Sequence, residues 1–249
     1  MSQGELMNIL ANISKFLGAG QRQPTGREAS FDFCFNYFQS FRTKNNIEAI
    51  AATENIQLSC LHLGFYLASW GMLRNSPLQQ KSSKHYQQLI ENLVQFDRTI
   101  WDIDIPDYRN AARMSLLLQF GSMIATSLQH DSDTLKTKVM LGVFGNVPAF
   151  DQFFCPGLGV RSFCGKSLKK IAEFYDANGS EIDSYKIPTL DFLSGQPTGT
   201  LYPRAKIIDM IGYVEGGGPP LSSFYENRRT CPQVFLRRCG QASIRARGA

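Results

Sequence analysis

Between Lys136 and Asp151 the chain sets two lysines and one carboxylate around a Gly/Pro reversal, and these residue types could do chemistry. The segment reads Lys136-Thr-Lys138-Val-Met-Leu-Gly-Val-Phe144-Gly145-Asn-Val-Pro148-Ala-Phe150-Asp151. A lysine amine becomes a nucleophile once it sheds its proton, and a carboxylate can stabilise a developing cation or orient a water. Asp151 falls three residues after Pro148, at or near a helix start, where the helix end favours its ionised form. The same placement suits a simple helix cap worth about 1 kcal/mol. Both uses of Asp151 are open at this point.

Other chemistry-bearing patterns are missing. There is no G-x-x-x-x-G-K-[ST], no G-x-G-x-x-G opening a helix and no G-x-S-x-G. Three histidines are scattered at 62, 85 and 130. The six cysteines (34, 60, 155, 164, 231 and 239) form no C-x2-C, and Cys60 and His62 have no second pair nearby. No metal and no cofactor are therefore expected, and the cysteines read as small buried hydrophobes of a reducing compartment. Asp102 and Asp104, with Asp151, could hold a divalent cation as a nuclease would. A turn beside a packed Trp101 is the simpler account.

The elements that must position these residues read as helices. Apolar residues at helical spacing mark 6–17 (ended by Gly18 and Gly20), 30–42, 84–97 and 107–128. Residues 54–73 are apolar nearly all round, which describes a central helix covered by neighbours, with His62 a hydrogen-bonded core residue. Ser132 or Asp133 can cap a helix from Thr134 to Gly145, and 167–179 resembles a capped helix with a glycine stop. Pro188 to Pro203 reads as an ordered loop or one short hairpin, near 186–202, and Pro203 opens a last helix through Ile207, Ile208, Ile211 and Val214. The expected fold is all-α: a single multi-helix domain over 1–216.

Charge sorts along the chain. The net +5 resides in residues 217–249, which hold six arginines against Glu226, whereas the first 216 residues balance 20 basic against 20 acidic side chains. A neutral body argues against a broad phosphate-binding surface, although a neutral total can hide a polarised face. The Arg-rich segment follows Gly-Gly-Gly-Pro-Pro, lacks periodicity and is expected to be an unstructured tail. No basic-then-apolar leader opens the chain, and Leu58–Leu73 contains His62 and two serines and is too short to span a bilayer comfortably. A cytoplasmic protein without a membrane association is expected.

Over residues 134–154 the chain resembles the helix-hairpin-helix DNA glycosylase superfamily, in which a lysine-bearing helix runs into a Gly/Pro loop that ends in an aspartate. Val143-Phe-Gly-Asn-Val-Pro-Ala-Phe-Asp151 matches the loop and the aspartate, and Lys136 or Lys138 is the nearest counterpart of the lysine. The resemblance implies DNA as partner and a base flipped into a pocket between helical layers. It further implies Asp151 stabilising the sugar cation and Lys136 or Lys138 attacking the sugar carbon, with Pro148, Phe150 and Trp101 around the base. The alternative is a non-catalytic helical interaction or regulatory protein that binds a protein partner, for which a continuous exposed apolar patch is expected.

Overall fold

The computed structural model describes residues 7–18 and 22–219. The Arg-rich tail beyond 219 and Gly20 lie outside the described residues. Nine α-helices, five short 3-10 helices and one two-stranded sheet make up the regular structure among the described residues. The first eight α-helices are α1 (Ile9–Leu17), α2 (Ala29–Thr43), α3 (Ile56–Ser69), α4 (Gln87–Gln95), α5 (Ala111–Leu128), α6 (Asp133–Val143), α7 (Phe154–Gly157) and α8 (Gly165–Ser184). β1 (Pro188–Leu190), β2 (Pro197–Leu201) and α9 (Arg204–Glu215) complete the chain. None of these helices is long and apolar enough to cross a membrane.

The central helix is α6, not the apolar α3. Val139, Met140, Leu141 and Val143 are all but inaccessible, and α6 packs against α2, α3 and α5. Each such side chain contributes roughly 1.5–3 kcal/mol by leaving water. Both ends of α6 are written locally. Ser132 accepts from the Leu135 amide, and Gly145 turns the chain at φ 70° while its N–H donates to the carbonyls of Met140 and Leu141. A Cβ on Gly145 would lie 2.5 Å from Pro203, so the reversal needs glycine twice over.

Helix α3 corrects the reading of 54–73. One face, through Ser59, Cys60, Leu63, Tyr66 and Leu67, packs on α2, α4 and α6. The other leaves Leu58, Leu61 and Phe65 in solvent, with Phe65 70% exposed. His62 stacks on the Tyr37 ring at 4.2 Å rather than sitting in the core, and burial lowers its pKa.

Two other boundaries shift for physical reasons. The long helix expected from 107 begins at Ala111, because Asp104 and Asp107 form a capping box on a separate 3-10 turn over Ile105–Arg109 and Asn110 caps afresh. The expected stop at Gly179 fails. Helix α8 continues to bury Ile182, and Asp183 on its last turn is held by Arg204 Nε at 2.7 Å and Nη2 at 2.9 Å. The Pro188–Pro203 stretch forms the antiparallel hairpin β1–β2, with Pro188 opposite Leu201 and Leu190 opposite Pro197.

Helices α7 and α9 cross with backbone touching backbone. A Cβ on Gly157 would lie 2.0 Å from the Gly212 carbonyl oxygen, and one on Gly216 would lie 1.8 Å from that of Phe153. The neighbour is main chain, which cannot rotate away. Gly157→Ala is expected to destabilise the protein by at least about 1–3 kcal/mol, the cost of overpacking. A denaturant titration that gave an unchanged midpoint would contradict this crossing.

Candidate functional site

Lys138 and Asp151 meet on the wall of a cavity. The Lys138 amine lies 3.6 Å from Asp151 Oδ2, and the two side chains are 6% and 16% exposed. The two oxygens of Asp151 divide the work that the sequence left open. Oδ1 accepts from the amides of Phe153 and Phe154 at 3.0 and 2.9 Å, capping the turn into α7, while Oδ2 faces the amine. The carboxylate is thus fixed by its cap and presents its second oxygen to the lysine.

The local structure that brings them together is short-range. Thr137 Oγ1 accepts from the Phe150 amide at 2.8 Å and donates to the Asp133 carbonyl, and Thr134 donates to the Phe150 carbonyl at 2.7 Å. The first two turns of α6 therefore clamp the strand-like segment before Asp151. From the far side Asp209 on α9 accepts from the Ala149 amide at 3.0 Å.

The cavity has a volume of about 520 Å³ and is lined by Arg27, Trp70, Thr134, Lys138, Asp151, Phe153 and Tyr213, among others. That volume falls within the roughly 300–1,000 Å³ of small-molecule sites. Trp70 is its aromatic centre. The guanidinium of Arg27 lies 4.6 Å from the Trp70 ring centroid, and the amines of Lys138 and Lys206 lie 5.3 and 5.0 Å from it. Lys206 is further enclosed by Phe16 and Phe31 and paired to Asp209 at 2.9 Å, a buried cation stabilised by ring faces and one carboxylate. The Trp70 indole N–H is buried without a hydrogen-bond partner among the described residues. Such an orphan costs about 1–3 kcal/mol.

Burial pushes the Lys138 amine below its ordinary pKa of 10.5; Lys206 and Arg27 add to the effect, and Asp151 and Asp209 oppose it. The Tyr66 phenol, wholly buried nearby, is driven well above its ordinary value, chiefly by burial and then by Asp209, so it remains neutral. The site thus combines an amine whose pKa burial lowers with a fixed carboxylate in a cavity where cations outnumber acids.

The other residues singled out in the sequence lie elsewhere. Lys136 pairs with Asp131, and with Asp133 at 3.6 Å, away from Asp151. Trp101 is 4% exposed and packs edge-on to Phe144 at 4.6 Å. Phe150 is buried between Phe154 and Phe163, and Pro148 is buried in the reversal. Asp102 pairs with Arg42 and Asp104 with Arg204, so these two aspartates do not gather around Asp151. Among the described residues no group of three His, Cys, Asp or Glu side chains could hold a metal ion.

Trp70, Arg27, Lys206, Asp209 and Tyr213 did not emerge from the sequence. One signal was readable: Lys206 and Asp209 interrupt an otherwise apolar stripe of α9 at i,i+3 spacing, the mark of a charge pair facing inward. The chain matches no family model, no curated protein and no solved structure.

Proposed function

We propose that the chain acts on nucleic acid, with the Lys138 cavity as a base-excision-type site. The observation that carries the reading is the buried Lys138 amine held 3.6 Å from the capped Asp151 carboxylate on a cavity wall. A flipped nucleobase would enter beside Trp70, a ring of the cavity wall on which it can stack. The glycosidic C1′–N bond breaks with its electron pair leaving on the base, which takes up a proton from water. Asp151 stabilises the cationic sugar. The Lys138 amine, once deprotonated, then forms a bond to C1′, and the proton it sheds on bonding passes to Asp151 Oδ2.

The approach to the site also supports this reading. Helices α5 and α6 are joined by only the four residues Gln129–Ser132, so a lysine-bearing helix follows a tight helical hairpin. The left-handed position in that turn, φ 49°, is filled by Gln129 rather than glycine.

The test is reductive trapping. With a duplex bearing an abasic-site aldehyde, the Lys138 amine condenses with loss of water to an imine, and borohydride delivers hydride to leave a stable secondary amine. The expected result is a protein–DNA adduct that peptide mapping places on Lys138. No adduct, together with no release of damaged bases from a panel of lesion-bearing duplexes, would overturn the reading.

The alternative, a non-catalytic helical interaction protein, draws on one observation. Leu58, Leu61 and Phe65 share an apolar groove of about 660 Å³ with Phe33 and Phe192, and Phe192 is itself 70% exposed. The trapping experiment separates the two readings, because an interaction surface needs no reactive amine.

A further inference from the structure

The body of the chain is neutral in sum and polarised in space. Lys166, Lys169 and Lys170 stand at i,i+3,i+4 on the opening turns of α8, and Arg161 comes from the loop before it. All four are exposed and line one open cavity of about 950 Å³ in which Glu173 is the only acid. Arg161, Lys166 and Lys169 form no ion pair among the described residues, and the Lys170 amine donates to the Gly159 carbonyl at 2.8 Å. On neighbouring elements several bases are matched to acids: Arg109 with Asp176, Arg113 with Asp107, Arg204 with Asp104 and Asp183.

No residue lines both this cavity and the Lys138 site, but Phe163, between the lining residues Ser162 and Cys164, ties the loop of this cavity to the start of α6. The Phe163 amide donates to Asp133 Oδ2 at 2.8 Å, and the Phe163 ring packs on Phe150 at 5.7 Å. The next residue of α6, Thr134, lines the Lys138 cavity. The first turn of α6 therefore holds the loop of the basic cavity through Asp133 and lines the Lys138 cavity through Thr134.

We propose that the Arg161–Lys170 cavity grips the phosphodiester backbone of the nucleic acid whose base enters the Lys138 cavity. The identity of that polyanion rests on the reading of the Lys138 site. The arrangement itself favours a polymer over a small anion. Lys166 to Lys170 spread the cations over roughly 6 Å of helix axis, and Arg161 adds a fourth from the preceding loop. Unpaired, exposed cations in a row are what neutralises successive phosphates and releases their counterions.

The experiment follows binding of the full chain to a fluorescein-labelled duplex with a tetrahydrofuran abasic site by anisotropy, from 50 to 200 mM KCl. Each phosphate contact contributes about 0.9 to the slope of log K against log salt. Lys166→Ala/Lys169→Ala is expected to lower that slope by about 1.8 and to weaken binding several-fold. Lys44→Ala/Lys81→Ala removes the same charge from exposed positions elsewhere and is expected to leave slope and affinity near wild type. Equal effects of the two double variants, an unchanged slope in the first, or no salt-dependent binding by the wild type would each overturn the proposal. A normal slope change without a Lys138 adduct would leave this cavity standing and remove the base-excision reading instead.

Discussion

Lys138→Met is expected to abolish the borohydride adduct and, at the same time, to raise the melting temperature. The first effect follows from the chemistry: methionine fills the same space and has no lone pair on nitrogen, so imine formation stops rather than slows. The second follows from the environment. Lys138 is pressed among Trp70, Lys206 and Arg27, and burial already drives its amine toward the neutral form. Removing a buried charge that has cationic neighbours relieves more than it loses, since Asp151 keeps its two backbone donors. A gain of about 0.5–2 kcal/mol is expected, the range in which reactive groups weaken their folds.

The sign with pH follows from the same shift. Because the folded amine sits below 10.5, the unfolded chain binds more protons between the two values, and stability rises with pH across that window. The variant should lack this rise. Adduct formation by the wild type should climb with pH and level off before 10.5. A variant less stable than wild type, with trapping intact, would place the reactive amine elsewhere.

Asp32→Ala has the largest expected effect on folding. The carboxylate is inaccessible to solvent and accepts three bonds: from Arg22 Nη1 at 2.6 Å, from the Leu190 amide at 2.9 Å and from the Tyr202 hydroxyl at 2.7 Å. Arg22 also donates to the Pro188 carbonyl. One side chain of α2 thus holds the start of the hairpin, its far end and the segment before α2. Alanine leaves the Arg22 guanidinium buried without its carboxylate, and losing one partner of such a pair costs about 3–5 kcal/mol. For a chain of this length that is a fall of roughly 6–20 °C in Tm. Asp32→Asn, whose one amide oxygen can still accept from Leu190 while its NH2 faces the Tyr202 hydroxyl oxygen, should lose less. Equal melting of Asp32→Ala and wild type would refute the hub.

What the sequence made legible were features encoded within a few residues of one another. The Ser132 cap, the Gly145 reversal and the apolar periodicity of α1, α2, α5 and α6 are local, and the chain obeys them. Lys138 and Asp151 belong with these, because Thr134 and Thr137 tie one turn of α6 to the segment just after it. The rest of the cavity is assembled from afar. Arg27, Trp70 and Lys206 are separated by most of the chain, and each has an ordinary identity in isolation: a surface arginine, a core tryptophan, a helix lysine. The exposed face of α3 was illegible for a related reason, since composition reports that a helix is apolar but not whether neighbours exist to cover it. The Gly179 stop failed because Ile182 and Asp183 found tertiary partners that outweighed a glycine in the helix interior.

The main-chain crossing of α7 and α9 bears on how the cavity accommodates a guest. Asp151 is pinned to the first residues of α7, and α7 lies directly on the glycines of α9, the helix that carries Lys206 and Asp209. Those two walls meet main chain to main chain at Gly157 and Gly216, with Phe154 and Leu158 packed over Gly212, and form one stiff jaw. Compliance must come from the opposite jaw, where the chain leaves α3 at Trp70 and passes through two left-handed residues, Gly71 and Asn75, before Pro77. Any change of width is therefore expected from the aromatic side, where Trp70 stands, and not between Asp151 and α9.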